Sequence, residues 1–192
     1  AHVTEEARAG ETPAQLVTRL SHAKATRLES NAAGHALVIG CDTVVALENG
    51  DGRARILGKP ADGFEATAML RDLRGRSHTV YSAVTAALPG SDTETELVVT
   101  HLRMRPYTDA EIAAYVASGD PLDKAGAYAI QHAGFNPVDQ IEGCYASVMG
   151  LPLCHLTRLL HRIGCSPSAD VPAACQAHTA RRCEVFEEIR NS

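Results

Sequence analysis

The residues of this chain whose type and spacing suit chemistry are carboxylates, lysines and an amide, set beside glycines or inside apolar elements. Glu5 and Glu6 precede a helix, and Asp42 interrupts the apolar run HALVIGCDTVVAL. Lys59 stands in GKP, and Asp123, Lys124 and Gln131 stand in GDPLDKAGAYAIQ. Such a set suits phosphoryl chemistry. A hard divalent ion is held by one or two carboxylates together with substrate phosphates, and lysines neutralise charge developing on phosphate oxygens. A carboxylate or the ion can then activate water. Each residue also has a plainer reading: Glu5 and Glu6 as a solvated acidic patch, Asp42 in a structural ion pair, Lys59 in a surface turn, Lys24 as an exposed helix residue. By the same reading Asp123 and Lys124 form a surface pair, and Gln131 satisfies buried backbone groups. Singly, none is specific.

The elements that would carry these residues follow from pattern. Thr12 and Gln15 make a capping box with Pro13 at the first helical position, so a helix starts there, with Leu16, Leu20 and Ala23 on its buried face. Lys24, one place further, falls at the edge of that face, able to reach into a cleft. HALVIGCDTVVAL is a strand buried on both sides, and a carboxylate inside it is costly unless used. After the turn ENGDG and the short strand of ILGKP, Ala66, Met69, Leu70 and Leu73 mark a helix capped by Asp62. HTVYSAVTAAL and TELVVTHLRMR, separated by PGSD, read as an antiparallel hairpin. Thr108 and Glu111 form a second capping box ahead of DAEIAAYVAS, and Leu153, Leu156, Leu160 and Ile163 mark an amphipathic helix stopped by Gly164. Residues 165–192 read as an appended tail with a short helix near CEVFEEIR.

The 192 residues, 45% hydrophobic, are enough for one substantial core or two small lobes. A formal net charge of -5 excludes a broad basic face for nucleic acid, so a polyanion must be met by a local cluster. No apolar run approaches the roughly 18 residues that span a bilayer, and no leader opens the sequence, which makes a cytoplasmic protein the expectation. Cys41, Cys144, Cys154, Cys165, Cys175 and Cys183 include no C-x-x-C pair and read as free thiols. Cys175, His178 and Cys183 fit no trusted zinc spacing.

In order, VIGCDTVV, ILGKPAD with AMLRDLRGRSHTVYSAV, YVASGDPLDKAGAYAIQ and IEGCYASVMGLPL closely resemble the Maf family of nucleotide pyrophosphatases, from about Glu5 to Leu160. The resemblance implies an α/β fold, a mixed twisted sheet flanked by helices, with two lobes and the site in a central cleft. It divides the chain into a family domain, residues 1–164, and the tail, 165–192. It implies hydrolysis of dTTP, UTP or modified pyrimidine triphosphates to monophosphate and pyrophosphate. By residue, it implies Asp42 as proton acceptor and Glu6 as metal or water ligand, the two holding Mg²⁺ or Mn²⁺. Lys24 and Lys59 would bind phosphates, Lys59 counting among the catalytic set, and Lys124 would join the substrate contacts. Thr43 and Gln131 match positions linked to base choice and favour the dTTP/UTP branch over the one acting on 7-methylguanosine triphosphate. Cys41 and Cys144 replace the family's usual small or polar residues. The family's opening S-x-S-P-R-R segment does not appear before Ala1, which keeps a second expectation alive: a catalytically impaired nucleotide-binding or regulatory remnant linked to cell division. Association into a homodimer stays open.

Overall fold

The computed structural model describes residues 5–29, 36–49, 54–88 and 92–191, without the side chains of 28, 29, 190 and 191. Its elements are α1 (Pro13–Glu29), β1 (Val38–Glu48), β2 (Ala54–Leu57), α2 (Gly63–Leu73), β3 (Ser77–Ala87), β4 (Glu94–Met104), α3 (Asp109–Ala117), β5 (Val138–Glu142), α4 (Tyr145–Val148), α5 (Leu153–Arg162), α6 (Val171–Thr179) and α7 (Phe186–Asn191). Two short 3₁₀ turns, Asp120–Asp123 and Ala125–Ala127, lie between α3 and β5. The class is α/β, and five strands form one sheet in the order β2-β1-β3-β4-β5. Where a mixed sheet was expected, the described strands are antiparallel: β1 meets β2 with Val45 opposite Leu57, and β4 meets β5 with Leu102 opposite Ile141. The ENGDG and PGSD turns fall largely outside the described residues. The chain divides into two compact units, Ala1–Thr43 with Tyr81–Val99 and Cys144–Ser192, and Val44–Val80 with Thr100–Gly143.

In the first unit α1 starts as its capping box dictates. Gln15 N–H donates to Thr12 Oγ1 at 3.2 Å, and Thr12 N–H donates to Gln15 Oε1 at 2.9 Å. Its buried face is Leu16, Val17, Leu20, Ser21 and Ala25; Ala23, expected on that face, is only half-buried. The cause is Gly40. A Cβ there would lie 2.6 Å from Ala25 N and closer still to Ser21 O, so α1 rests directly on the backbone of β1. That contact rotates residues 21 and 25 inward. Beside it, Ser21 Oγ meets Thr85 Oγ1 at 2.9 Å, and Thr85 meets Thr95 at 2.8 Å.

Elsewhere in this unit Val84 and Ala86 of β3 pack with Leu156, Leu159 and Leu160 of α5, and Cys41 and Ile163 join them. Glu96 points inward from β4, where His155 and Arg158 each approach Oε1 at 2.6 Å and Arg162 approaches Oε2 at 3.0 Å. Burial alone would raise this carboxyl's pKa, but the three bases outweigh it and hold the value down to about 2. Arg158 also donates to Ile189 O at 3.0 Å, and Arg181 stacks over the Tyr145 ring at 4.9 Å. The segment after Gly164 is thereby packed onto α4 and α5. It holds a helix near CEVFEEIR as expected, α7, and a second one, α6, that the polar, small-residue composition concealed.

The second unit is built on α2 and α3. Asp62 caps α2 by accepting from Phe64 N and Glu65 N, and Ala66, Met69, Leu70 and Leu73 are the buried stripe, as the spacing predicts. Thr108 and Glu111 close the reciprocal capping box on α3. Phe135 stacks on Tyr115 at 4.3 Å and leans on Tyr107 at 4.8 Å.

Two outcomes follow. Gly40→Ala forces α1 off the strand and should cost about 1–3 kcal/mol as overpacking does. At roughly 2–4 °C per kcal/mol the loss is readable as a lowered melting temperature; Gly58→Ala, where a Cβ meets nothing within 4 Å, should melt like the wild type. For Glu96 the folded-state pKa lies below the unfolded value, so its stabilisation is complete above about pH 4.5 and is lost as pH falls toward 2. Glu96→Gln should therefore be less stable by about 3 kcal/mol at pH 7, with the gap closing under acid in denaturant titrations.

Candidate active site

Asp42 and Gly40 are two residues apart on β1 and share one face of the strand, the face that α1 covers. Ser21, Lys24 and Ala25 share one face of α1, at helical spacing. The close approach at Gly40 therefore brings Lys24 to Asp42: Nζ lies 2.6 Å from Oδ1, and the Asp42 side chain is only 8% exposed. Glu5 Oε1 stands 2.8 Å from the same ammonium. Burial would depress the Lys24 pKa, yet the hydrogen bonds to Asp42 and Glu5 prevail and raise it. The lysine stays charged.

Glu5 and Glu6 part company here. Arg19 pairs with Glu11 at 2.6 Å and donates to the backbone oxygen of Glu6 at 3.1 Å, which pins the segment ahead of the helix. Pinned so, that segment delivers the Glu5 carboxylate to Lys24. Glu6 is exposed, and of the pair it was Glu6 that the family motif had singled out. A sequence cannot separate two adjacent glutamates without knowing the path of the chain.

Thr43 projects from the opposite face of β1. Ser82 Oγ donates to Ser147 O at 2.7 Å, so its one hydrogen is committed, and the 2.8 Å contact between Thr43 and Ser82 has Thr43 as donor. Ser147 Oγ in turn donates to Cys144 O at 2.7 Å. Ser82 and Ser147 were not anticipated, since isolated serines in a strand and a short helix carry no signal. Two residues before Thr43, Cys41 donates to Gly150 O at 2.8 Å, and burial with the neighbouring Asp42 charge pushes its thiol up to about 11. Cys41 is thus an inert packing residue at neutral pH.

The remaining candidates belong to the second unit. Gly126 N–H donates to Gly58 O at 3.0 Å, joining the GKP segment to the DKAGAYAIQ loop. Gly126 has φ +69 and a Cβ there would meet Val45 at 2.9 Å, so glycine alone fits. Lys124 Nζ donates to Asp120 O at 2.8 Å and pairs with Asp123 at 2.6 Å and Asp120 at 3.2 Å. The Lys124 hydrogen bond and charge hold Asp123 below the usual carboxylate range, with a further contribution from the charge of exposed Lys59. Gln131 is exposed at the end of the loop. Tyr115, also missed in the sequence, accepts from Ala129 N–H at 3.0 Å and donates to Asp120 at 2.6 Å, fixing the loop to α3.

These positions divide the candidates into Glu5, Lys24 and Asp42 in one unit and Lys59, Asp123, Lys124 and Gln131 in the other. Among the described residues no group of three or more histidine, cysteine or carboxylate side chains could cage a metal. Two carboxylates at one lysine fit the sparse protein contribution typical of Mg²⁺, which keeps waters and phosphate oxygens as its other ligands.

The sequence model of the family described as Maf-like protein matches residues 1–163. A dTTP/UTP pyrophosphatase of Nitratidesulfovibrio vulgaris is 44% identical over 155 residues, covering 81% of this chain and 71% of the relative. One from Shewanella sp. is 43% identical over 164 residues, covering 84% and 81%, and one from Pelotomaculum thermopropionicum 43% over 168 residues, covering 85% and 83%. On a family match over most of its length and relatives this similar, the chain belongs to the Maf-like protein family.

Proposed function

We propose that the chain hydrolyses dTTP and UTP to the nucleoside monophosphate and pyrophosphate, and that it does so within residues 1–164. The observation that carries this reading is the Glu5–Lys24–Asp42 cluster, a nearly buried carboxylate and a lysine held charged beside it, in a chain whose relatives bear that activity in their names. In the proposed reaction Asp42 takes the proton of a water attacking the α-phosphorus. The oxygen to α-phosphorus bond forms as the bond to the pyrophosphate oxygen breaks. Lys24 offsets the charge on the phosphate oxygens. Lys59 and Lys124 supply further positive charge to the phosphate chain, and Gln131 reads the base. A divalent ion, Mg²⁺ or Mn²⁺, would be held by Asp42 with Glu5 or Glu6 and would supply charge neutralisation on the triphosphate. Thr43 lies on the other face of β1 from Asp42, so its contribution to base choice runs through the position of the strand. A nucleotide-pool enzyme of this kind belongs in the cytoplasm, in keeping with the absence, among the described helices, of one long and apolar enough to cross a membrane.

Asp42→Asn is nearly isosteric but neither accepts a proton nor carries charge, so turnover of dTTP should fall about 10²- to 10⁴-fold while the melting curve remains cooperative. Wild-type turnover in that variant would remove Asp42 from the mechanism. Excess chelator should abolish pyrophosphate release and added Mg²⁺ or Mn²⁺ should restore it. Full activity in chelator would remove the ion, and orthophosphate as the sole inorganic product would place cleavage at a different bond.

A further inference from the structure

We propose that His78 is a positioning residue for the loop that carries Lys124 and Gln131, acting through the hydroxyl of Tyr128. The inference rests on the reading above in taking that loop as substrate-binding. His78 lies on β3 and is 3% exposed, with Nε2 2.7 Å from Tyr128 OH and the two rings edge to face at 5.5 Å and 83°. Tyr128 is itself buried, four residues after Lys124 and three before Gln131. Neither ring titrates near neutrality, because burial pushes the imidazole down to about 4 and the phenol well up. The contact is a neutral hydrogen bond shielded from water, where leaving either partner unmet is expensive.

Histidine here is not explained by packing. Its neighbours at the alternate buried positions of β3 are Val80, Ser82 and Val84, and an apolar ring would fill the same space without a second polar atom. Instead Nδ1 is buried with no hydrogen-bond partner among the described residues. An unmet buried nitrogen is a penalty that a purely structural position has no reason to carry. What the imidazole uniquely offers is its other nitrogen, directed at Tyr128.

The loop needs such an anchor. Gly126 and Ala127 both have positive φ, +69° and +59°, and the second is a conformation L side chains seldom adopt. Such backbone persists when its surroundings over-determine it. Gly58 O holds Gly126, Tyr115 OH holds Ala129, and His78 holds the residue between them from the sheet. Without that hold the span from Lys124 to Gln131 would relax, and two substrate contacts would move together.

The test compares the wild type with H78F, H78Q, Y128F and H78F/Y128F, at a temperature where each is folded by circular dichroism. The readouts are kcat and KM for dTTP and dCTP, and hydrogen exchange of the amides of residues 125–130. H78F and Y128F should each raise the KM for dTTP about tenfold, narrow the preference for dTTP over dCTP, and speed exchange of the loop amides about tenfold. The double variant should be no worse than the worse single, and H78Q should recover most of the loss. Unchanged KM and unchanged loop exchange in folded H78F would overturn the proposal, as would additive losses in the double variant. If the wild type hydrolyses neither dTTP nor UTP, the functional reading falls, while loop exchange still decides whether His78 holds the loop.

Discussion

The contact of α1 with β1 at Gly40 is the constraint from which the first unit's chemistry follows. Absence of a single Cβ lets helix backbone meet strand backbone, and two periodicities do the rest. The helix repeats its face at three and four residues, which joins Lys24 to Ser21 and Ala25. The strand repeats at two, which joins Asp42 to Gly40. The ion pair is therefore a geometric consequence of the packing and needs no loop to assemble it. Sites carried on regular elements hold their groups more closely than sites on loops. Here only Glu5 comes from irregular chain, and Arg19 and Glu11 tie that segment back to the helix.

The same strand works on both faces. Toward α1 it presents Gly40 and Asp42. Toward α4 and α5 it presents Cys41 and Thr43, engaged by Gly150 O and Ser82. The donor order from Thr43 to Ser82 to the Ser147 carbonyl is fixed by hydrogen count, so each hydroxyl buried there has a partner with one defined polarity. A one-residue slip of β1 would exchange the two faces, burying Asp42 among aliphatic side chains and breaking this relay. Polar groups at these positions thus select the register that puts the carboxylate beside the lysine.

What could be read in the sequence was local or periodic. Capping boxes at Thr12 and Thr108, the Asp62 cap, the α2 stripe and the polar break in β1 depend on residues within a few places of one another and stand as read, while the α5 stripe keeps Leu156 and Leu160 but buries Cys154 and Leu159 where Leu153 and Ile163 were expected. What escaped depended on contacts distant in sequence. Ala23 gave way to Ser21 and Ala25 because of a glycine on another element. That Glu5 pairs with Lys24 depends on Arg19, which holds the backbone oxygen of Glu6. β5, Val138–Glu142, is an edge strand of five residues, three of them acidic or amide, and it lacks the apolar alternation that marks a strand. α6 is short and has no buried residue, so no stripe announces it.

In both residue groups lysines stand beside carboxylates. In the first, one ammonium faces two carboxylates, Asp42 and Glu5. In the second, Lys124 is already engaged by Asp120 and Asp123, and Lys59 is close enough to influence Asp123. Neither group offers a surplus of positive charge to a bare triphosphate, and the chain as a whole is acidic. Phosphate binding by lysine alone would then have to break ion pairs before it formed new ones. On the function proposed above, a triphosphate carrying a divalent ion would lower that cost, because the carboxylates would face the ion while the lysines faced the phosphate oxygens. Lys24 and Lys124 are each held by two carboxylates, so at both lysines a bare polyanion would have to compete with an acid already in place.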